Sequence, residues 1–407
     1  MLKALTAFLL LISAAAQAAP VCDLTDIGGP GASIVEEGSN PVVSGTWAYS
    51  AYATGGKVVV LAAAARGAKQ KPLQTIFDKP GRSTNIRLAA TGKSLYVIWL
   101  QGGGVAHLWF AANSNHGNPK AWSKPIDLGV ALHLLEQISA DGNSVHIAYI
   151  LDNHDTAAIT STDNGKTFAA PLDLGPGNGE AVIASMGQDV YAAWEFSKDS
   201  RPTVEFAYSN DGGKTFSSSN ISDNGVRHAR EPILNLNRSS GRLSLVWRED
   251  SPLQGVYLQS TDHGHSWSAP VSIDQPARQF MVQDTNVAIF ASYLKEYMID
   301  GVPDWQVQLA VSRDGGKTFP SIRNLSGPTG VSKIVGDNAR PMPFASGGQI
   351  RVTGVSADGA RIWSGDRAQI DPSSQAYLGP GELASPAGQV ALWQAPEGMV
   401  TYAYCHD

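Results

Sequence analysis

Two cysteines among 407 residues are too few for a disulfide-dense scaffold or a Cys-rich metal module. Basic charge is also short: 30 Lys and Arg stand against 36 Asp and Glu, for a formal net charge of −6. A duplex-binding surface needs a clustered basic face, so nucleic acid is set aside as a partner. Beyond the opening segment no apolar run is long enough to span a bilayer. No 3.6-residue apolar period is sustained either, which excludes a helical architecture. Gly-x-Ser-x-Gly, His-Glu-x-x-His, the P-loop and Cys-x-x-Cys are all missing. The run Gly102-Gly103-Gly104 precedes no predicted helix, so it reads as a turn and not as a phosphate cradle. The nine histidines are scattered, and the close pair His263 and His265 falls inside a turn motif. No metal and no cofactor is expected.

What is present begins with a leader. Lys3, the apolar stretch Leu5 to Ile12 and the small-x-small triplet Ala16-Gln17-Ala18 are the three parts of a secretory signal. Cleavage after Ala18 leaves one domain, residues 19–407, expected to be secreted or periplasmic. Val21 occupies a lipobox position that wants a small residue, so Cys22 is not expected to carry a lipid. Cys22 and Cys405 lie at opposite ends of the mature chain, and in an oxidising compartment one bridge between them is the economical outcome. Closing so long a loop contributes roughly 5 kcal/mol on the chain-entropy account. It requires the two ends of the fold to meet.

Glycine (42) and proline (23) punctuate the apolar runs at short intervals, as turns do in a sheet protein. Four segments repeat Ser-x-Asp-x-Gly-x-Thr/Ser-aromatic. They start at Ser161, Ser209, Ser260 and Ser312, at spacings of 48, 51 and 52 residues. A decayed copy starts at Asn113, 48 residues before the first. The pattern predicts a hairpin turn. Asp163, Asp211, Asp262 and Asp314 accept backbone amides, glycine takes the left-handed position, and the aromatic packs back into the sheet. A second phrase, a Gly turn followed by alternating apolar residues ending in an aromatic, recurs at Leu95 to Trp99, Val145 to Tyr149, Val190 to Trp194 and Leu243 to Trp247. Its period of two marks strands. Each repeat therefore reads as a four-stranded antiparallel unit, and such units arranged radially make an all-β propeller of seven or eight blades. The N-terminal segment is expected to supply the missing outer strand of the last blade.

The boxes, their spacing and the blade phrase resemble the sialidase superfamily and its Asp-box relatives. The resemblance implies a sialidase-like propeller acting on or binding glycans. Its enzymes hold a sugar carboxylate with three arginines, attack with a Tyr activated by a Glu, and use an Asp as acid and base. The Arg-Ile-Pro phrase that usually carries the first arginine is missing. Topology nevertheless directs attention to one face. Strand-one starts and strand-two ends share it, and the boxes lie on the other. Aligned repeats put Arg230, Arg278 and Arg340 at three strand-one starts, a candidate anion site because guanidinium forks match carboxylates and sulfates. An opposing possibility is that acids such as Glu231 neutralise them. Glu195 and Glu249 fall at strand-two ends on the same face, and Tyr293 aligns with Glu249 in the next blade. Tyr293 as nucleophile, Glu249 as base and Asp152 or Asp155 as acid would complete a glycosidase set. Trp305 is a candidate for sugar stacking. Two readings stay open: a propeller binding a glycan, an anionic one included, or an extracytoplasmic protein; and an exo-sialidase-type hydrolase of an anionic sugar.

Overall fold

The structure, a computed structural model, describes residues 21–28, 42–54, 56–64, 72–79, 81–102, 106–132, 137–198, 201–222 and 228–328, and the strand-forming remainder at 341, 343–346, 349–356, 359–366, 369–379, 382–387, 390–394 and 400–406. The expected leader, residues 1–18, falls outside the described residues. All described strands belong to eight four-stranded antiparallel sheets, and the one helical element among the described residues is the short turn Pro119–Ala121. Inner strands of the first seven sheets pack on one another in succession, and the inner strand of the last sheet packs on the second strands of the seventh and the first. The sheets therefore close into a ring, a β-propeller, whose blades are numbered I to VIII from residue 42 onward. Blade VIII takes three strands from the C-terminus and its outer strand, Val21–Gly28, from the N-terminus. That strand pairs with Val400–His406 and sets Cys22 opposite Cys405.

The alternation in the second strands explains the packing. Both faces of a blade are covered by neighbours, so residues 95–100 of blade II are fully buried, and Trp99 and Trp194 fill the same second-strand role in blades II and IV. The apolar core is divided among the seams between blades. Six clusters occupy the six seams from I–II to VI–VII.

The Asp boxes lock these seams. In blade III the Asp163 carboxylate accepts from the Lys166 and Thr167 amides at 2.9 Å and from the Thr167 and Ser161 hydroxyls at 2.6 and 2.8 Å. The Ser161 hydroxyl oxygen in turn accepts the Gly165 amide at 2.9 Å. Asp211, Asp262 and Asp314 repeat the arrangement in blades IV, V and VI. The hydroxyl and amide donors hold all four carboxyls well below the usual range, Asp262 at about 2. Blade II keeps the turn with Asn113 in place of the serine, its Oδ1 accepting the Asn115 and Gly117 amides at 2.8 and 2.9 Å. The box aromatic crosses to the preceding blade instead of packing into its own sheet. Phe168 meets Phe110 edge-on at 4.9 Å, Trp267 meets Phe206 at 5.0 Å, and Phe319 meets Tyr257 at 5.2 Å. Gly165, at φ +76°, sits so close to that neighbour that a Cβ would lie 2.3 Å from the Phe110 ring.

Candidate functional site

The opposite face, here called the mouth, is shaped by bulges. In blade V, Ala229 and Arg230 pair with Glu249 and Arg248, and the register then slips by one residue before Ile233. Blade VI repeats this with Ala277 opposite Lys295, Arg278 opposite Leu294 and a slip before Met281. Blade II has the same slip between Thr84 and Arg87. The residue after the arginine, Glu231 or Gln279, and Asn85 in blade II, stand at φ of 56°, 54° and 51°. A left-handed side-chain residue costs about 1–2 kcal/mol each, and bulges of this kind re-aim side chains beside functional sites. The pairing of first and second strands also corrects the expected alignment. Lys295, not Tyr293, is the counterpart of Glu249, and Tyr293 is the counterpart of Trp247.

An alternating charge network spans blades IV and V. Arg230 donates from Nη1 to Glu195 at 2.8 Å and from Nε to Asp250 at 3.0 Å. Arg248 donates from Nε to the other Asp250 oxygen at 3.0 Å and from Nη1 to Glu231. The Glu231 amide reaches back to Glu195 at 3.4 Å. Glu195 is buried, and Gly179 packs against it so tightly that a Cβ there would lie 2.6 Å from the Glu195 Cβ. Desolvation pushes the Glu195 carboxyl above the usual range, and Arg230 opposes that shift. Two of the three expected mouth arginines are described; Arg340 lies outside the described residues. Arg230 is neutralised by acids in the way Glu231 neutralises Arg248.

Arg278 is different. Its guanidinium lies over the Trp305 ring at 4.1 Å, and its Nε is buried without a hydrogen-bond partner. Among the described residues no carboxylate comes within ion-pair distance of it. Desolvation lowers its pKa first and the nearby Arg248 charge second, with Glu296, Glu231 and Asp250 opposing from further off. Trp305 is 4% exposed and covered by this cation, so it does not offer a free ring to a sugar.

The expected catalytic residues are not brought together as a glycosidase set. Tyr293 is 0% exposed, stacks on Phe280 at 5.0 Å and donates its hydroxyl to Asp274 at 2.7 Å. Burial, then the Asp274 charge, raises its pKa far above that of a free phenol. Lys295 donates to the other Asp274 oxygen at 2.7 Å. Glu249 is buried and accepts Gln254 Nε2 at 2.7 Å. Asp152 is exposed in the blade III hairpin turn, on the mouth face but three blades from Arg278. His263 pairs with Asp189 at 2.9 Å and His265 packs on Tyr208, so neither faces the other across a metal position. Nothing in the residue pattern announced Asp250 or the pairing of Arg248; Gly179, two residues from a strand start, was the one available signal for a crowded Glu195.

No family model matches the chain, and no curated protein matches it. Solved structures do resemble it. An ulvan lyase, described as a new family of polysaccharide lyase and bound to a repeat of glucuronic acid linked 1-4 to 3-sulfated rhamnose, superposes with TM-score 0.53 at 14% identity, over 87% of this chain and 97% of that one. A second structure of an ulvan lyase described in the same words gives TM-score 0.52 at 14% identity, over 89% and 97%. A Hadza microbial sialidase gives TM-score 0.44 at 13% identity, over 77% and 74%. At these identities the likeness is one of fold, and in fold the chain is a β-propeller.

Proposed function

We propose that the chain is an exported propeller that binds an anionic glycan at the mouth between blades IV and VI. The observation that carries this reading is Arg278, a desolvated guanidinium stacked on Trp305 with no carboxylate partner. Leaving a cation partly buried and unpaired costs free energy, and a carboxylate or sulfate arriving in the mouth offsets that cost. Arg230 and Arg248 are already paired with carboxylates, so they frame the site and set its electrostatics while Arg278 takes the ligand. The ulvan lyase of like fold, bound to a uronate- and sulfate-bearing repeat, supports an acidic polysaccharide over a protein partner. Export and a Cys22–Cys405 bridge belong to the same reading, supported by the register that sets the two cysteines opposite each other.

The hydrolase reading has less support. A tyrosine nucleophile needs an exposed, acidified phenol, and Tyr293 is buried with its pKa driven the other way. Isothermal titration with a glucuronate-containing polysaccharide and a neutral glucan tests the proposal. Wild type should bind only the acidic polymer, and Arg278→Ala should weaken that binding by about tenfold or more, the worth of one charge-assisted hydrogen-bonded contact. Equal binding by the variant sinks the assignment. Turnover of a fluorogenic sialoside by wild type but not by Tyr293→Phe would establish the hydrolase instead.

A further inference from the structure

Blade VI carries the longest hairpin beside the mouth. Its second and third strands, Ile289–Ile299 and Val302–Ser312, are eleven residues each. They are joined by the two-residue turn Asp300-Gly301, with φ of 51° and 80°. Positive φ at both turn residues matches the strand twist and makes a stiff hairpin. The tip is apolar and wet: Met298 is 63% exposed and Val302 54%.

Register fixes which residues share a face, since directly paired residues and alternate residues along a strand lie on the same side. Arg278 pairs with Leu294, Glu296 with Trp305, and Met298 with Pro303. Arg278, Trp305, Glu296, Met298 and Pro303 therefore form one line running outward on a single face of the blade. Ile299 and Val302 pair with each other on the reverse face. A strand rises about 3.3 Å per residue, so the four steps from Leu294 to Met298 carry the tip roughly 13 Å beyond the level of Arg278.

We infer that this face is an extended saccharide-binding wall, which takes an oligosaccharide of several residues along its length. The inference rests on the anion site proposed above and adds what lies beyond it. An acidic sugar is held at Arg278. Further sugars lie outward, and the C–H face of one ring packs on Met298 and Pro303. The buried Trp305 supports the cation and makes no sugar contact of its own. A single sugar cannot span the distance from Arg278 to the tip, so the site favours internal stretches of a polymer over a lone terminal residue.

Calorimetry with glucuronic acid and with di-, tetra- and octasaccharides of alternating glucuronic acid and 3-sulfated rhamnose reads this directly. In wild type, affinity should rise with length until the chain reaches the tip, the tetrasaccharide binding about tenfold tighter than the monosaccharide, as expected for covering one thioether side chain. Met298→Ser, at an exposed position that folding does not depend on, should flatten that rise to under about threefold while leaving the monosaccharide unchanged. A length dependence identical in wild type and Met298→Ser overturns the wall and leaves the Arg278 site standing. Failure of wild type to bind any of the acidic saccharides, or undiminished binding by Arg278→Ala, overturns the anion site itself. A melting curve of Met298→Ser that superposes on wild type certifies the comparison.

Discussion

Replacing Arg230 and Arg278 separately with methionine should have opposite consequences, although the two occupy equivalent positions in adjacent blades. Arg230 is about a third exposed and joins Glu195 to Asp250. Its loss strands the buried Glu195 carboxylate, while Asp250 keeps Arg248. Breaking a fully buried pair costs about 3–5 kcal/mol. Solvent reaching Arg230 screens that toward the surface-pair range, leaving roughly 1–3 kcal/mol. Arg278 has no carboxylate to strand. Methionine forfeits a cation–π contact of about 0.5–2 kcal/mol, relieves the desolvation of an unpaired charge, and keeps an apolar stem over Trp305. The net change in stability should lie within about 1 kcal/mol of zero. Ligand affinity should divide the other way, falling about 10- to 150-fold in Arg278→Met, from the 1.5–3 kcal/mol of a charge-assisted contact. Urea unfolding followed by tryptophan fluorescence, paired with titration of an acidic polysaccharide, reads both quantities. The reasoning fails if Arg278→Met unfolds as early as Arg230→Met while retaining affinity, because Arg278 would then be structural.

Gly165→Ala and Gly142→Ala both place a methyl at positive φ, but only the first meets a ring, at 2.3 Å; nothing lies within 4 Å of the second. Urea midpoints should show about 2–5 kcal/mol lost for Gly165→Ala against about 1 for Gly142→Ala, and equal losses would discredit the seam lock. The box aspartates have folded pKa values below their unfolded ones, so their contribution is complete above about pH 4 and is lost as pH falls toward 2. Asp262→Asn should therefore flatten the acid limb of a thermal-stability profile; an unchanged limb argues against this role. Cys22→Ser should destabilise by roughly 2–5 kcal/mol, and wild type should lose a similar amount in reductant. A reductant-insensitive wild type would rule out the bridge.

The propeller was legible because a turn motif and a strand phrase each recur at blade intervals, and two periodicities that agree leave one architecture. The same topology placed Arg230 and Arg278 on the mouth face. What it could not supply was the one-residue slip after each arginine, which shows only in the pairing of the first strand with the second. Hairpin length was hidden as well: Lys295 follows its partner Ala277 by two residues fewer than Glu249 follows Ala229, so Lys295 and not Tyr293 is the counterpart of Glu249. Charge partners were equally hidden: Glu195 and Arg230 are 35 residues apart and in different blades, so only packing decides that they meet while Arg278 goes unmatched. The box aromatics were read as packing within their own sheet because their targets, Phe110, Phe206 and Tyr257, belong to the previous repeat.

The pairing of Val21–Gly28 with Val400–His406 has a consequence for how the molecule comes into being. The outer strand of blade VIII is made before every other described strand, and its partner after all of them. Seven blades can therefore collapse in order while that early strand waits without its neighbour, its edge amides and carbonyls open to any other strand that passes. Closure of the ring therefore waits on Val400–His406. A chain cut before Val400 would leave Val21–Gly28 without a partner and the edge of blade VIII open.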